Sequence, residues 1–306
     1  MKLHTLATAG LVTSILSILA GAIVRATGSG DGCGASWPTC NGRVVPSLDT
    51  TSEIIEFSHR SISGVLLIIT IMLFLKSRDS DTPLLQKKII NYLTFFVLLE
   101  ALIGAVIVIY EWVGLNSSLP RIIAVPLHLV NTFALLGFYT LIYFLLNESK
   151  SSLNYFFDQR LKIAFILFFL TGATGSITAL ADVLFPSASF IEGLADDFDS
   201  TSELLTRLRI VHPIVSMILS IFLFSESNRL RKEFGIKTQS IKFLIYTGVA
   251  LGTLNVVSNI ILPLSILHLL LADLLWITYI YKSAKKSVLL ENTENIGEFN
   301  LSLIHI

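Results

Sequence analysis

The feature of this sequence that most constrains its fold is a series of eight apolar stretches, each close to the length that a helix needs to cross a bilayer. A spanning helix uses about 20 apolar residues and satisfies its own backbone hydrogen bonds, which an open strand in lipid cannot do. The sequence therefore predicts an all-α integral membrane protein with eight transmembrane helices. The predicted spans cover residues 3–24, 54–75, 89–110, 122–146, 161–181, 204–224, 241–262 and 264–280.

Composition excludes several classes of protein. Of the 306 residues, 53% are hydrophobic and only 14% are charged, whereas a soluble domain carries roughly 25% charged residues. This rules out a disordered chain, an ordinary cytosolic enzyme and a nucleic-acid binder with a basic surface. The 22 basic residues balance the 22 acidic ones. The partner that the composition predicts is therefore the lipid bilayer, and no nucleic acid is expected.

The distribution of basic residues predicts how the chain sits in the membrane. Cytoplasmic segments of membrane proteins are enriched in lysine and arginine. We expect both termini in the cytoplasm of a multi-pass protein of the cell membrane. The first span lacks a small-residue cleavage site before its polar flank, so we expect it to be retained and not removed as a signal peptide. The cytoplasmic side is predicted from the segments that hold 16 of the 22 basic residues, namely residue 2, 76–88, 150–162, 229–242 and 282–286.

The chain divides into two similar halves of four helices. Each half has a longer outer loop after its first helix, at 26–53 and 182–203, and Gly21-Ala22 in the first helix is echoed by Gly172-Ala173 in the fifth. An even number of helices per half predicts two tandem four-helix bundles related by a pseudo-two-fold axis along the membrane normal. The predicted parts are a first bundle at 1–150, a second bundle at 151–284 and a cytoplasmic tail at 285–306.

Four histidines lie at matching depths, on the second and fourth predicted helix of each half and near the outer end: His59, His128, His212 and His268. Ionisable groups inside a membrane span are costly and usually mark a functional pathway. Two imidazoles on facing helices can bind one iron from both sides of a heme, so we predict two bis-histidine heme sites with these four residues as metal ligands. A histidine can instead bridge helices. Zinc fits less well, because neither half offers a cysteine or carboxylate at that depth to complete four ligands.

The outer side carries arginine and no lysine. Arg60 adjoins His59, and Arg209 stands one helical turn before His212, with Arg207 nearby. Arginine binds carboxylates such as heme propionates bidentately, where lysine acts as a point charge. These three arginines are therefore candidate propionate partners. The alternative is that they only extend to the membrane interface.

One acid and one cysteine pair lie close to the first of these histidines. Glu56 precedes His59 by three residues and shares its helix face. It could assist the ligand or accept a proton, or it could be an acid favoured by the helix dipole. Cys33 and Cys40, the only cysteines, lie in the first outer loop, where an oxidising setting favours a disulfide. That bond could be a structural staple or a redox-active pair near the heme pocket.

At these residues the sequence resembles the heme A synthase family, over about residues 3–282. The resemblance implies an oxidoreductase that converts a ring methyl of heme O to the formyl group of heme A in two steps, for use in terminal oxidases. It also implies heme O as substrate, with a heme O synthase and an electron donor as partners. The residues that carry it are Thr27-Gly28-Ser29-Gly30, Gly32-Cys33-Gly34, Trp37-Pro38, Cys40, Glu56-Phe57-Ser58-His59-Arg60, His128, His212 and His268.

The same resemblance assigns roles to the two halves. It implies that the substrate heme lies between His59 and His128 in the first half. It implies a resident heme b between His212 and His268 in the second half. Glu56 corresponds to the functionally important acid of the family, and the cysteine pair of the first outer loop corresponds to its disulfide.

Two departures from the family pattern bear on the second half. Pro213 follows the third histidine, where a His-Arg pair is more usual, so Arg209 or Arg207 is expected to take over that propionate contact. The second outer loop lacks the extra cysteine pair of some members. It carries instead the acids Asp196, Asp197 and Asp199.

Two other classes of protein are compatible with the residues alone. A di-heme b-type membrane electron carrier, such as a quinol-linked cytochrome, would share the four histidines but would need neither Glu56 nor the cysteine loop. A transporter with polar residues along a permeation path would bind no heme. The electron donor, the source of the formyl oxygen and the oligomeric state have no signature in the sequence.

Overall fold

The structure, a computed structural model, describes residues 2–47 and 49–304, with side chains described as far as Glu294. These residues form ten α-helices and a short 3-10 helix, Ser29–Asp31, with no β-strand among them. The all-α prediction is confirmed. The helices are α1 Leu3–Ala26, α2 Thr51–Lys76, α3 Leu84–Ile109, α4 Leu119–Asn147, α5 Gln159–Leu184, α6 Phe190–Phe198, α7 Leu204–Leu208, α8 Val211–Phe234, α9 Gln239–Val257 and α10 Leu262–Ile304.

Within the part of the chain that the structure describes, eight helical segments are long and apolar enough to cross a membrane, and each overlaps one of the predicted spans. Together α7 and α8 supply the sixth span, Leu204–Phe234, which is broken at Arg209 and Ile210. The last helix, α10, continues well beyond the predicted end of the eighth span. The predicted tail, 285–306, is therefore helical as far as Ile304, and residues 305 and 306 lie outside the described residues. The chain is a multi-pass membrane protein.

The spans pack as two groups that share one face. In the first group, α1 contacts α2 and α4, and α3 contacts α2 and α4, which closes a ring of four helices. In the second group, α8 contacts α5, α9 and α10, and α9 also contacts α10. The groups meet where α1 and α4 lie against α5 and α10. The predicted boundary at residue 150 falls in the connection between α4 and α5, and the two-fold axis stays a prediction.

The core lies where α4 meets α5 and α10. Trp276 is fully buried and packs edge-on against Phe133 and Phe165, with ring centroids 6.2 and 5.0 Å away. Its indole N–H donates to the Phe133 carbonyl at 2.8 Å. Within a bilayer, close packing and internal hydrogen bonds hold helices together, because lipid tails are as apolar as the side chains. This aromatic cluster therefore joins the two groups of helices.

The extension of α10 is held by the connection between α4 and α5. Lys286 donates to Asp158 at 2.6 Å, and Glu291 accepts hydrogen bonds from the Ser152 hydroxyl at 2.7 Å and from the Asn154 N–H. Burial alone raises the pKa of Asp158, but the hydrogen bonds from Lys286 and from a backbone N–H outweigh burial and hold the pKa below its ordinary value. The contact therefore stabilises the fold at neutral pH and loses that effect as the pH falls through the acidic range.

Candidate functional site

The four predicted ligand histidines share one local arrangement, which we call the glycine seat. Each imidazole lies against a glycine of a neighbouring helix in its own half, so that a Cβ on that glycine would meet Cε1 of the ring. Packed carbon atoms stand about 3.5–4 Å apart, so three of the four glycines leave no room for a side chain. With the distance from that Cβ to Cε1, the seats are Gly21–His59 at 3.0 Å, Gly104–His128 at 3.6 Å, Gly175–His212 at 2.9 Å and Gly252–His268 at 2.9 Å.

The glycine seat in α5 is not the glycine of the repeated Gly-Ala pair. The sequence match aligned Gly21 with Gly172, but a Cβ on Gly172 would meet Phe133 at 2.6 Å. The glycine that faces His212 is Gly175, almost one helical turn further along. Residues three apart share a helix face, so the repeated Gly-Ala pattern does not by itself show which glycine faces the ring.

The separation of the second pair, His212 and His268, would allow one metal ion to bind between the two rings. Their ring centroids are 6.3 Å apart and their planes are at 89°. Nδ1 of His268 lies 3.0 Å from the Gly248 carbonyl oxygen, and Nδ1 of His212 lies 3.4 Å from the Thr174 hydroxyl oxygen. Nε2 is then the nitrogen of each ring that is available to a metal. A metal ion between the rings would form two metal–nitrogen bonds of about 2 Å each. Those two bonds, together with the distance from each ring centroid to its Nε2, add up to a centroid separation of this size.

The first pair, His59 and His128, lies within electrostatic range of one another. Among the described residues, no group of three or more His, Cys, Asp or Glu side chains could hold a metal ion. Each pair therefore offers two protein ligands and needs the others from elsewhere, as the four nitrogens of a porphyrin supply. This donor set fits a heme iron better than a structural zinc ion, which takes four protein ligands.

His128 differs from the other three histidines in the group that faces its Nδ1. Glu100 lies one turn before Gly104 on α3, and one of its carboxylate oxygens is 2.9 Å from that nitrogen. Asn131 donates to the other carboxylate oxygen at 2.6 Å and to the Phe96 carbonyl at 2.9 Å. Glu100 was not among the predicted site residues, because no carboxylate was expected at the depth of the first histidine pair. The available signal was that Glu100 is the only charged residue in the third predicted span, since an acid inside a span usually marks a functional site.

Glu56 is almost fully buried and joins the loop between α1 and α2 to α2 itself. Its exposed fraction is 2%. One carboxylate oxygen accepts a hydrogen bond from the Cys33 N–H at 2.7 Å. The other accepts hydrogen bonds from Nη2 and Nε of Arg60 at 2.5 and 3.1 Å. Glu53, nearly one turn earlier, is also buried and accepts the Asp49 N–H at 3.1 Å. Both acids therefore have specific partners, which the helix dipole alone would not require.

A disulfide between Cys33 and Cys40 closes this loop, as the sequence predicted. Arg60 also donates to the carbonyls of Ser36 and Thr39, both at 2.6 Å. The guanidinium group of Arg60 thus ties the disulfide loop to the helix that carries the first histidine. These contacts agree with a structural staple, and a redox role for the cysteine pair stays a prediction.

The two arginines predicted for the second half lie in different settings. Arg209 stands at the break between α7 and α8 and donates to Asp197 at 2.7 Å and to Asp182 at 3.3 Å. Arg207 is exposed. Their predicted contacts with heme propionates stay predictions, as does that of Arg60.

Fold and site together define a class of protein: a multi-pass membrane protein in which each half carries a pair of histidines, every ring seated on a glycine. Residues 4–280 match the model of the COX15-CtaA family, described as cytochrome oxidase assembly protein. The chain belongs to the COX15-CtaA family.

Several curated proteins are similar to the chain. A Thermus thermophilus protein named protoheme IX farnesyltransferase is 32% identical over 288 residues, which cover 89% of this chain and 46% of the relative. The chain thus spans about half the length of that protein. A heme A synthase of Staphylococcus epidermidis is 27% identical over 287 residues, covering 89% of this chain and 90% of the relative. A heme A synthase of Lysinibacillus sphaericus is 27% identical over 285 residues, covering 88% and 90%.

Proposed function

We propose that this chain is a heme A synthase, which oxidises a ring methyl group of heme O to the formyl group of heme A. The observation that carries the proposal is the geometry of the two histidine pairs. All four rings lie in glycine seats, and the second pair has the separation that an iron between two imidazoles requires. Membership of the COX15-CtaA family and the similarity to proteins named heme A synthase support it.

The two pairs bind different hemes in this proposal. The substrate heme O lies between the first pair, and a resident heme b lies between the second. Glu56 precedes His59 by three residues, whereas the residue three before His212 is Arg209. Only the first half therefore has an acid one turn from its first ligand, which supports placing the oxidation there.

The chain's own residues contribute binding and proton transfer to the proposed reaction. Heme b, when bound, supplies electron transfer. In each of two steps the substrate carbon loses two electrons to an external oxidant, a C–H bond is replaced by a C–O bond, and the proton is released in the site. The geminal diol so formed loses water to give the aldehyde. Glu56 accepts a proton released in these oxidations, or positions a water molecule beside the methyl group. Its carboxylate is fixed in direction by N–H groups of Cys33 and Arg60.

We also propose that both termini lie in the cytoplasm and that the heme sites lie near the outer face of the cell membrane. All twelve lysines fall on the side predicted to be cytoplasmic, as the positive-inside rule requires. The proposed partners are a heme O synthase, which supplies the substrate, and an electron donor.

The direct test is to express the full chain in cells that make heme O but no heme A. Porphyrins are then extracted from the purified protein and from the membranes, and their masses are measured. We expect heme A, identified by the mass change from CH3 to CHO, together with heme b; cells without the chain should yield no heme A. A protein that carries only unmodified heme b would be an electron carrier, and a protein without a Soret band would bind no heme.

A second prediction concerns Glu100. We expect Glu100→Ala to weaken heme binding by the first pair by about 10- to 100-fold, the usual cost of losing a carboxylate that orients a metal-binding histidine. Titration of the heme-free protein, followed in the Soret band, measures this. Glu111→Gln, which alters an exposed acid just beyond the end of α3, is the matched control and should bind as the unmutated chain does. Equal heme affinity in Glu100→Ala and in the control would contradict the role given to Glu100.

A further inference from the structure

Two arginines close to the loop between α1 and α2 carry buried nitrogen atoms without a partner. In Arg25, at the end of α1, and in Arg121, at the start of α4, Nε is buried and makes no hydrogen bond to any described residue. Arg121 is 3% exposed, and one of its terminal nitrogens donates to the Asn116 carbonyl at 2.6 Å. Leaving a buried cationic group unpaired is costly, so buried charges in native proteins have partners. An anion bound here would satisfy both groups and offset their charge.

Both arginines lie on the helix faces that carry the first histidine pair. Arg25 stands one turn beyond Gly21, the glycine that seats His59. Arg121 stands two turns before His128 on α4. Residues at these spacings share a helix face, and the two guanidinium groups are within electrostatic range of each other. They therefore lie together, displaced from the first pair toward the end of the bundle that the disulfide loop covers.

The two other guanidinium groups at this end that are largely buried, those of Arg60 and Arg209, already have anionic partners. Arg60 is bound to a carboxylate and to two loop carbonyls. Arg209 donates to two carboxylates, one of which is that of Asp182. Asp182 is also the acid that acts electrostatically on Arg25, but its hydrogen bond goes to Arg209. The buried N–H donors that stay available among the described residues are those of the two arginines near the first pair.

We propose that Arg25 and Arg121 bind the propionate carboxylates of the porphyrin held by the first pair, an inference that rests on the proposed function. A guanidinium group matches a carboxylate with two parallel N–H···O bonds, and a buried setting strengthens them. The corresponding positions of the second half, counted from the seat glycine of α5 and the histidine of α10, are Ala179 and Ile261. The site therefore belongs to the first half alone.

The test compares a porphyrin with and without free carboxylates. The full-length chain in phospholipid nanodiscs is freed of porphyrin and titrated with protoheme or with its dimethyl ester, in a His212→Ala background that removes a ligand of the second pair. Arg25→Gln and Arg121→Gln should each weaken protoheme binding by about tenfold or more and leave binding of the ester unchanged. Arg43→Gln, which alters an exposed arginine of the disulfide loop, is the control and should change neither.

Each outcome bears on a different part of the inference. An unchanged ratio of protoheme to ester affinity in both variants would overturn it, and so would an equal loss of both ligands, which indicates a structural role. If Arg25→Gln does not insert into the membrane, Arg25→Lys replaces it. That variant keeps the charge but not the bidentate contact. It should lower the ratio of protoheme affinity to ester affinity by less than the reduction of about tenfold or more expected for Arg25→Gln. If the unmutated chain binds no porphyrin, the proposed function fails first.

Discussion

Replacing either histidine of the second pair, by His212→Ala or His268→Ala, should remove the resident heme b, whereas His59→Ala should retain it and stop the conversion of heme O. In the proposed complex, each second-pair variant would leave one imidazole to hold the iron and would empty a glycine seat. We expect the heme b content of the purified protein to fall by about tenfold or more, since removing even a group that only orients a ligand costs 10- to 100-fold in metal affinity. Absorbance in the Soret band and chromatography of extracted hemes measure both quantities.

The matched control for these variants is His4→Ala. His4 lies at the opposite end of α1, where its ring stands 5.7 Å from that of Tyr143, so both heme content and conversion should be unchanged. If His59→Ala and the second-pair variants lose the same heme to the same extent, the assignment of substrate and cofactor to the two halves is wrong.

Glu56→Gln should leave both hemes bound and lower the production of heme A by about 10²- to 10⁴-fold, the usual contribution of a general acid–base group. Glutamine is the sharpest replacement here. Its amide oxygen can still accept the Cys33 N–H or a hydrogen bond from Arg60, so the disulfide loop keeps its attachment while the proton acceptor is lost. The yield of heme A per bound heme b, from extracted porphyrins, is the measurement.

Glu53→Gln provides the control for that variant. Glu53 is equally buried on the same helix and also holds the loop, through the Asp49 N–H, but no role in the reaction is assigned to it. We expect it to make heme A as the unmutated chain does. Wild-type output from Glu56→Gln would exclude Glu56 from the reaction, and equal losses in both variants would show that intact loop contacts are what the reaction needs.

The apolar pattern of the sequence predicted the eight spans, because lipid imposes a simple rule: a crossing helix must be apolar along its length. The spans in turn placed the four histidines on membrane helices. The same rule explains what it missed at the end of the chain. The part of α10 beyond residue 280 is polar, and it packs against the connection between α4 and α5 through Lys286 and Glu291. Contacts of that kind depend on residues more than a hundred positions apart, which periodicity does not show.

Local chemistry in the sequence was informative where the partners are close along the chain. The Glu56–Arg60 ion pair spans one helical turn, and the disulfide closes a short loop, so the residues of both were named in advance. Glu100 reaches His128 from another helix, and the glycine that seats His212 was identified only when α5 and α8 were placed together. The break between α7 and α8 was not predicted either. Pro213 was the available signal, because proline is tolerated in the first turn of a helix and so indicates that a new helix begins just before it.

The glycine seats have an energetic consequence for how a porphyrin is received. A ring packed closely against a glycine has little freedom to rotate about its side-chain bonds, so in the proposed complex the tightly seated imidazoles are preorganised before iron binds. Immobilising a flexible side chain during association costs about 0.5–1.5 kcal/mol, and in the proposed complex the three tight seats, Gly21, Gly175 and Gly252, would meet that cost on folding. A larger residue at Gly175 or Gly252 would displace the ring, and in the proposed complex it would weaken heme binding without any ligand being replaced.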